Sequence, residues 1–141
     1  MIPQSPNLNR ITWENLESYC RKLVNEGKEA YVIAGPLGSG KTGSSGGITY
    51  SLAGGKITVP AYTWKIVVVL EQGDNDLSRI TTNTRIIAVK IPNTQTVNTK
   101  AWTYYRVSVD ELEALTGYDF LSSLPVSLQA ALEARVDDQS L

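Results

Sequence analysis

A chain of 141 residues with 42% hydrophobic content is the size of one ordinary domain and carries enough apolar side chain for a single core. Its formal net charge of −1 and isoelectric point near 5.4 exclude the overall basic field that supplies most non-specific affinity for phosphate backbones, so composition alone argues against nucleic acid. It has no histidine and one cysteine, Cys20, which excludes an internal disulfide, a thiolate metal cluster and any histidine general base drawn from these residues.

In chain order, MIPQSPNLNR has neither the basic region nor the apolar segment of a signal peptide. No apolar run approaches the ~20 residues of a membrane helix, so no membrane partner is expected and the compartment stays unknown. Thr12 to Gly27 reads as a helix, with Thr12 as N-cap, Glu14 in the first turn and Gly27 as a left-handed C-cap. Trp13, Leu16, Cys20, Leu23 and Val24 form its apolar stripe, in which a lone thiol is a small hydrophobe. Glu29 to Gly35 is a strand, and Pro36 to Gly55 is a glycine- and serine-rich loop closing into a small hairpin with Lys56 to Val59.

Thr63 to Glu71 (TWKIVVVLE) is the best strand, and its near-continuous apolar run suits a central position buried on both faces. Thr84 to Ile91 is a further strand ended by Pro92, Asn93 to Lys100 an exposed loop, and Tyr104 to Val107 a short strand. Ser108 and Glu111 have capping-box spacing and open a helix through Leu115 that stops at Gly117. A last helix starts after Pro125 and runs to about Val136, with Leu128, Ala131, Leu132 and Arg135 on successive turns. Strands in the middle and helices at both ends predict an α+β fold with a central, mainly antiparallel sheet and flanking helices.

Three polar residues stand out around the first helix. On its helical wheel Asn9 falls within the apolar stripe, where an amide is costly without a partner, and Glu17 and Arg21 fall on one edge. Being four apart, Glu17 and Arg21 can form an ordinary surface ion pair.

The segments PQSPNLNRITWENLESYCRKLV, YVIAGPLG, KITVPAYTWKIVVVL, TRIIAVKIPN and YRVSVDELEALTGYDFLSSLP, in this order, resemble the C-terminal two-thirds of the DNA/RNA non-specific endonucleases, the ββα-metal nucleases. The resemblance implies one domain over 1–141, with 1–27 the remainder of the ββα-metal finger and its metal-site helix, and 28–141 the sheet and C-terminal helices. It implies hydrolysis of phosphodiesters in DNA and RNA with one Mg²⁺ or Mn²⁺, for which Asn9 is the metal ligand. One neutral oxygen ligand suits Mg²⁺, which keeps several waters and takes phosphate oxygens to complete its octahedron. Glu17 resembles the helix glutamate that holds a water on the metal, and Arg21 an arginine that neutralises phosphate; these are the catalytic residues the resemblance gives.

The family's aspartate-arginine-glycine-histidine strand, whose histidine is the general base, is not found in this sequence, and Met1 to Gln4 resemble the end of the finger's second strand. The expectation is a chain inactive alone, being a split enzyme completed by another polypeptide, a piece of a longer chain, or a degenerate member kept for binding. Association with a second polypeptide or with its own copy is expected, because the sheet would expose an edge.

Gly35 to Thr42 (GPLGSGKT) satisfies the phosphate-loop pattern G-x-x-x-x-G-K-T and follows a predicted strand. That rival reading needs a helix directly afterwards, whereas Gly43, Ser44, Ser45, Gly46 and Gly47 are poor helix formers. Trp64, Trp102, Tyr104 and Tyr105 read as core rather than base-stacking groups. Arg79, Arg85, Lys90, Lys100 and Arg106 are scattered and form no readable patch.

Overall fold

The computed structural model describes residues 12–37, 41–42, 48–49, 51–52, 57–58, 61–74, 76–93 and 100–139. The expectations for Met1 to Gln4, Asn9 and most of the loop after Asn93 lie outside these residues. Helix α1 is Trp13–Asn25 and strand β1 Lys28–Leu37; β2 (Lys41–Thr42), β3 (Ile48–Thr49), β4 (Ser51–Leu52) and β5 (Ile57–Thr58) follow. The long strand β6 is Tyr62–Glu71, then come α2 (Asp76–Arg79) and β7 (Arg85–Pro92). A 3-10 turn, Trp102–Tyr105, leads into β8 (Arg106–Val107), α3 (Val109–Thr116) and α4 (Val126–Glu133).

The four-stranded sheet has the order β1-β6-β7-β8 and is antiparallel throughout. This is the α+β arrangement expected, with β6 inside the sheet and its residues 63–70 all buried. Alternation of side chains along β6 divides the core into two layers. On one side Trp64, Ile66, Val68 and Leu70 pack with Val109 and Leu112 of α3 and Leu132 of α4. On the other, Val67 and Val69 pack with Leu16, Tyr19 and Leu23 of α1, Ile87 and Val89 of β7, and Trp102. Each such side chain buried contributes about 1.5–3 kcal/mol. The stripe on α1 therefore differs by one residue from expectation: Tyr19 is buried, whereas Val24 is half exposed because it lies beyond the arc facing the sheet.

Several local expectations are corrected. Thr12 has helical dihedrals and its hydroxyl makes no cap bond, so it is not an N-cap. Pro36 and Leu37 extend β1 through its ladder with Thr63 and Tyr62. The hairpin expected from Lys56 to Val59 is found as β4 paired with β5. Tyr104 to Val107 shortens to the two residues of β8, because a 3-10 turn drives Trp102 against Tyr19, with ring centroids 5.4 Å apart. Helix α4 ends at Glu133 rather than near Val136, since Arg135 reaches the Thr82 carbonyl and Asp137 is drawn to Arg85. The caps of α3 match expectation: Ser108 Oγ accepts from the Glu111 amide at 3.1 Å, and Gly117 has φ 77°.

The glycine that opens the phosphate-loop pattern has a packing explanation. Gly35 pairs with Trp64 across the sheet, and a Cβ built on it would lie 2.7 Å from the Trp64 ring. The ring is pinned by Nε1 donating to the Pro36 carbonyl at 3.3 Å. Gly35→Ala should accordingly cost about 1–3 kcal/mol by overpacking. Urea denaturation checks this, and a stability within error of the parent would contradict the fit.

Candidate active site

Helix α1 runs along β6 with its first turn over Lys65, whose Nζ stands 4.1 Å from the Trp13 ring centroid. Thr63 and Lys65 share the α1-facing side of β6, so the apolar layer becomes polar at this end. Lys65 is only 6% exposed, and its Nζ lies 3.9 Å from Glu17 Oε1. Burial pushes the Lys65 ammonium below its ordinary range, and the Glu17 carboxylate partly offsets this. Cys20, partly buried on the same helix face, is pushed up, chiefly by burial and against the attraction of Lys65. Two buried hydroxyls complete this end, Thr12 Oγ1 and Thr63 Oγ1, and neither has a hydrogen-bond partner among the described residues.

Glu17 and Arg21 do not pair with one another, which corrects the surface-pair expectation. Glu17 turns to the sheet and Lys65, while Arg21 donates to Glu14 Oε1 at 3.1 Å and Ser18 Oγ at 2.9 Å. The Arg21 side chain is 60% exposed, so its bridge contributes little and leaves the guanidinium accessible to an incoming anion. Sequence reasoning passed over Lys65, although a single charge inside TWKIVVVLE was the signal. A lysine in a doubly buried strand requires a carboxylate or an aromatic face, and it has both.

Carboxylate, hydroxyl and amide oxygens are the hard donors that Mg²⁺ and Mn²⁺ accept. The described part of this end offers the half-exposed Glu17 carboxylate and the two buried hydroxyls, and its one sulfur, Cys20, is a neutral thiol. The donor chemistry therefore fits such an ion, with the buried Lys65 as a neighbouring positive charge.

The scattered cations have structural employment. Arg79 donates to the carbonyls of Glu71, Gly73 and Asp74 and pairs with Glu29, closing the turn after β6. Arg85 and Arg106, far apart in sequence, converge on Asp137: Arg85 binds it bidentately at 2.8 and 2.9 Å, and Arg106 at 2.9 Å. Arg85 also reaches the Tyr19 hydroxyl at 2.5 Å. Trp64 and Trp102 are core residues as expected, whereas Tyr104 is two-thirds exposed. At the pattern GPLGSGKT, Lys41 and Thr42 lie in a strand paired with Ile48 and Thr49, where a phosphate loop would begin a helix.

A family model for DNA/RNA non-specific endonucleases matches residues 1–127. The chain belongs to that family. Among DNA/RNA non-specific endonucleases, a nuclease of Nostoc sp. is 53% identical over 139 residues, covering 98% of this chain and 47% of the relative. Nuclease C1 of Cunninghamella echinulata is 34% identical over 131 residues, covering 90% and 48%. A chain in the crystal structure of the EndoG/EndoGI complex superposes with a TM-score of 0.64 at 23% identity, covering 89% of this chain and 49% of that one, which is a likeness of fold. The chain spans about half the length of the curated relatives it matches. The expected nuclease fold is thus the one observed.

Proposed function

We propose that the chain is the metal-site portion of a Mg²⁺- or Mn²⁺-dependent endonuclease that hydrolyses phosphodiesters in DNA and RNA. The observation that carries this reading is the family match over residues 1–127, which takes in Asn9, Glu17 and Arg21 together. Residues 1–27 then form the remainder of a metal finger, and 28–141 the sheet and helices of the same domain. Asn9, three residues ahead of Thr12, would hold the ion, with Glu17 beside it. When bound, a divalent ion supplies positive charge against the phosphate oxygens where negative charge develops.

The chain's own residues have defined tasks in this reading. Lys65, buried beneath Trp13, is a positioning residue that keeps Glu17 turned toward the sheet, so that Glu17 can orient a water by accepting its hydrogen bond. Arg21 offers an exposed guanidinium to a phosphate, to which it can donate two N–H bonds. A water attacking phosphorus must lose a proton, and no histidine among the 141 residues can take it. The reading therefore assigns the base to a histidine outside these residues, on another segment of the same protein or on a second polypeptide.

Plasmid nicking with Mg²⁺ or Mn²⁺ tests it. The chain alone should be inactive, since lack of a general base costs a factor of ~10²–10⁴. Adding a polypeptide that carries the Asp-Arg-Gly-His segment should restore nicking, and Asn9→Ala should abolish the restored activity. Full activity from the lone chain, indifferent to Asn9→Ala, contradicts the assignment. Tight nucleic-acid binding without cleavage under any complementation makes the chain a binding module instead.

A further inference from the structure

Among the described residues β1 pairs on one side only, with β6, in a ladder that runs without a bulge from Lys28 opposite Glu71 to Leu37 opposite Tyr62. Edge strands are ordinarily blunted by charge, brevity, bulges or a covering element, because their free N–H and C=O groups template further pairing. β1 has few of these defences: its charges, Lys28 and Glu29, stand together at its start, and its one proline comes near its end. Between them Tyr31, Val32 and Ile33 are 46%, 49% and 46% exposed. Successive side chains alternate, so both faces of the strand carry bare apolar groups. The opposite edge differs. There β8 has two residues, and its Arg106 is held by the tail through Asp137 and the Gln139 carbonyl.

The two faces of β1 have different surroundings. Tyr31 and Ile33 pair with Val68 and Ile66, on the side of α3 and α4, and with Ile80, Leu121 and Leu124 they line a cavity of about 720 Å³ beside the strand. Val32 and Ala34 pair with Val67 and Lys65, on the side of α1. Glu17, Cys20 and Val24, spaced i, i+3 and i+7, share one edge of that helix. This edge leans toward β1, since Cys20 and Ala30 belong to the same core layer. A segment added to β1 therefore covers the apolar cavity on one face and lies beside the Glu17 edge of α1 on the other.

We propose that β1 is the docking strand for the remaining part of this nuclease fold, which adds an extended segment to the free edge and sets a large apolar side chain in the groove at Tyr31 and Ile33. The chain spans about half the length of the Nostoc and Cunninghamella relatives, and β1 is the long uncovered edge, among the described residues, on which the rest can continue the sheet. Main-chain hydrogen bonds along β1 supply affinity, and the groove supplies selection. A residue of the added strand opposite Ala34 stands in one row with Lys65, roughly 10 Å away at two strand spacings. The identity of the partner rests on the hydrolase reading, in which the proton acceptor comes from outside these residues; the surface itself does not.

The test mixes the chain, in EDTA, with a polypeptide comprising the portion of the Nostoc nuclease outside its match, and follows association by titration calorimetry and hydrogen exchange. An equimolar complex is expected, in which the β1 amides facing away from β6 become protected. Val32→Lys and Ile33→Lys should each weaken association by about tenfold or more, because each buries an unpaired charge. Val126→Lys, at a position 80% exposed on α4, should leave it unchanged. Both β1 positions are half exposed in the chain alone, so these variants should fold. No association, a complex in which β1 exchanges as before, or indifference to both lysines overturns the proposal. So does a dimer of this chain through β1 that the added polypeptide fails to displace, which gives the surface to a second copy. Protection of β1 without nicking once Mg²⁺ is supplied keeps this surface and defeats the hydrolase reading; nicking with β1 unprotected does the reverse.

Discussion

Asp137→Ala should lower the stability of the fold by about 3–5 kcal/mol, the cost of removing one partner from a buried ion pair. Three parts of the chain meet at this carboxylate: Arg85 opening β7, Arg106 in β8 and the tail after α4. The Asp137 side chain is 3% exposed and the arginines 11% and 17%. Among the described residues, truncation leaves the two guanidiniums with Tyr19, the Trp102 ring and backbone carbonyls as partners. Burial on its own would raise the Asp137 carboxyl, but the hydrogen bonds and charge of Arg85, then those of Arg106, hold it below the usual carboxylate range. A carboxyl so depressed contributes stability that is complete above its unfolded pKa of ~3.9 and is lost as pH falls through the folded value. The difference between parent and variant in urea should hence be constant from neutral pH down to about pH 5 and shrink below pH 4. A loss under about 1 kcal/mol at pH 7 would mean that the tail contributes little to the fold.

Glu133 should produce a pH dependence of the opposite sign. Burial first, then the charge of Glu113 and a side-chain hydrogen bond with it, with smaller contributions from Asp110 and Asp119, raises its pKa from 4.5 to about 7. The folded state then binds a proton more tightly than the unfolded state, and between these values the native chain holds more protons. Stability falls as pH rises through that window, which is the reverse of the Asp137 case. The decline from pH 5 to pH 8 should be about 1–3 kcal/mol, the lower figure allowing for water that reaches the exposed Asp110 nearby. Glu133→Gln keeps the shape and removes the charge, so its curve should be flat and lie above the parent at pH 8. Parallel urea midpoints for parent and variant from pH 5 to pH 8 would refute the assignment.

The layers of the fold were legible because burial writes itself into the pattern. The run TWKIVVVLE announced a strand covered on both faces, and Ser108 and Gly117 marked the ends of α3 through their caps. The misses came where one contact outweighed local preference. Tyr104 and Tyr105 of the expected strand join Trp102 in a 3-10 turn that brings Trp102 to Tyr19, and α4 stops early because Asp137 has two arginines to meet. At the candidate site the sequence offered Glu17 and Arg21 as a pair, since spacing on one helix is all it records. The partner of Glu17, Lys65, is 48 positions away on β6, and only the packing of α1 on that strand brings them together. Charges converging across elements, such as Arg85, Arg106 and Asp137, leave no local trace for the same reason.

The alternation along β6 has one more consequence. Odd-numbered positions from Thr63 to Val69 serve the helix that carries the proposed chemistry, and even-numbered ones from Trp64 to Leu70 serve α3 and α4. The strand thereby acts as a partition wall. Changes made on its two sides share few neighbours, so their free-energy effects should sum, and each layer could drift or be redesigned while the other keeps its shape.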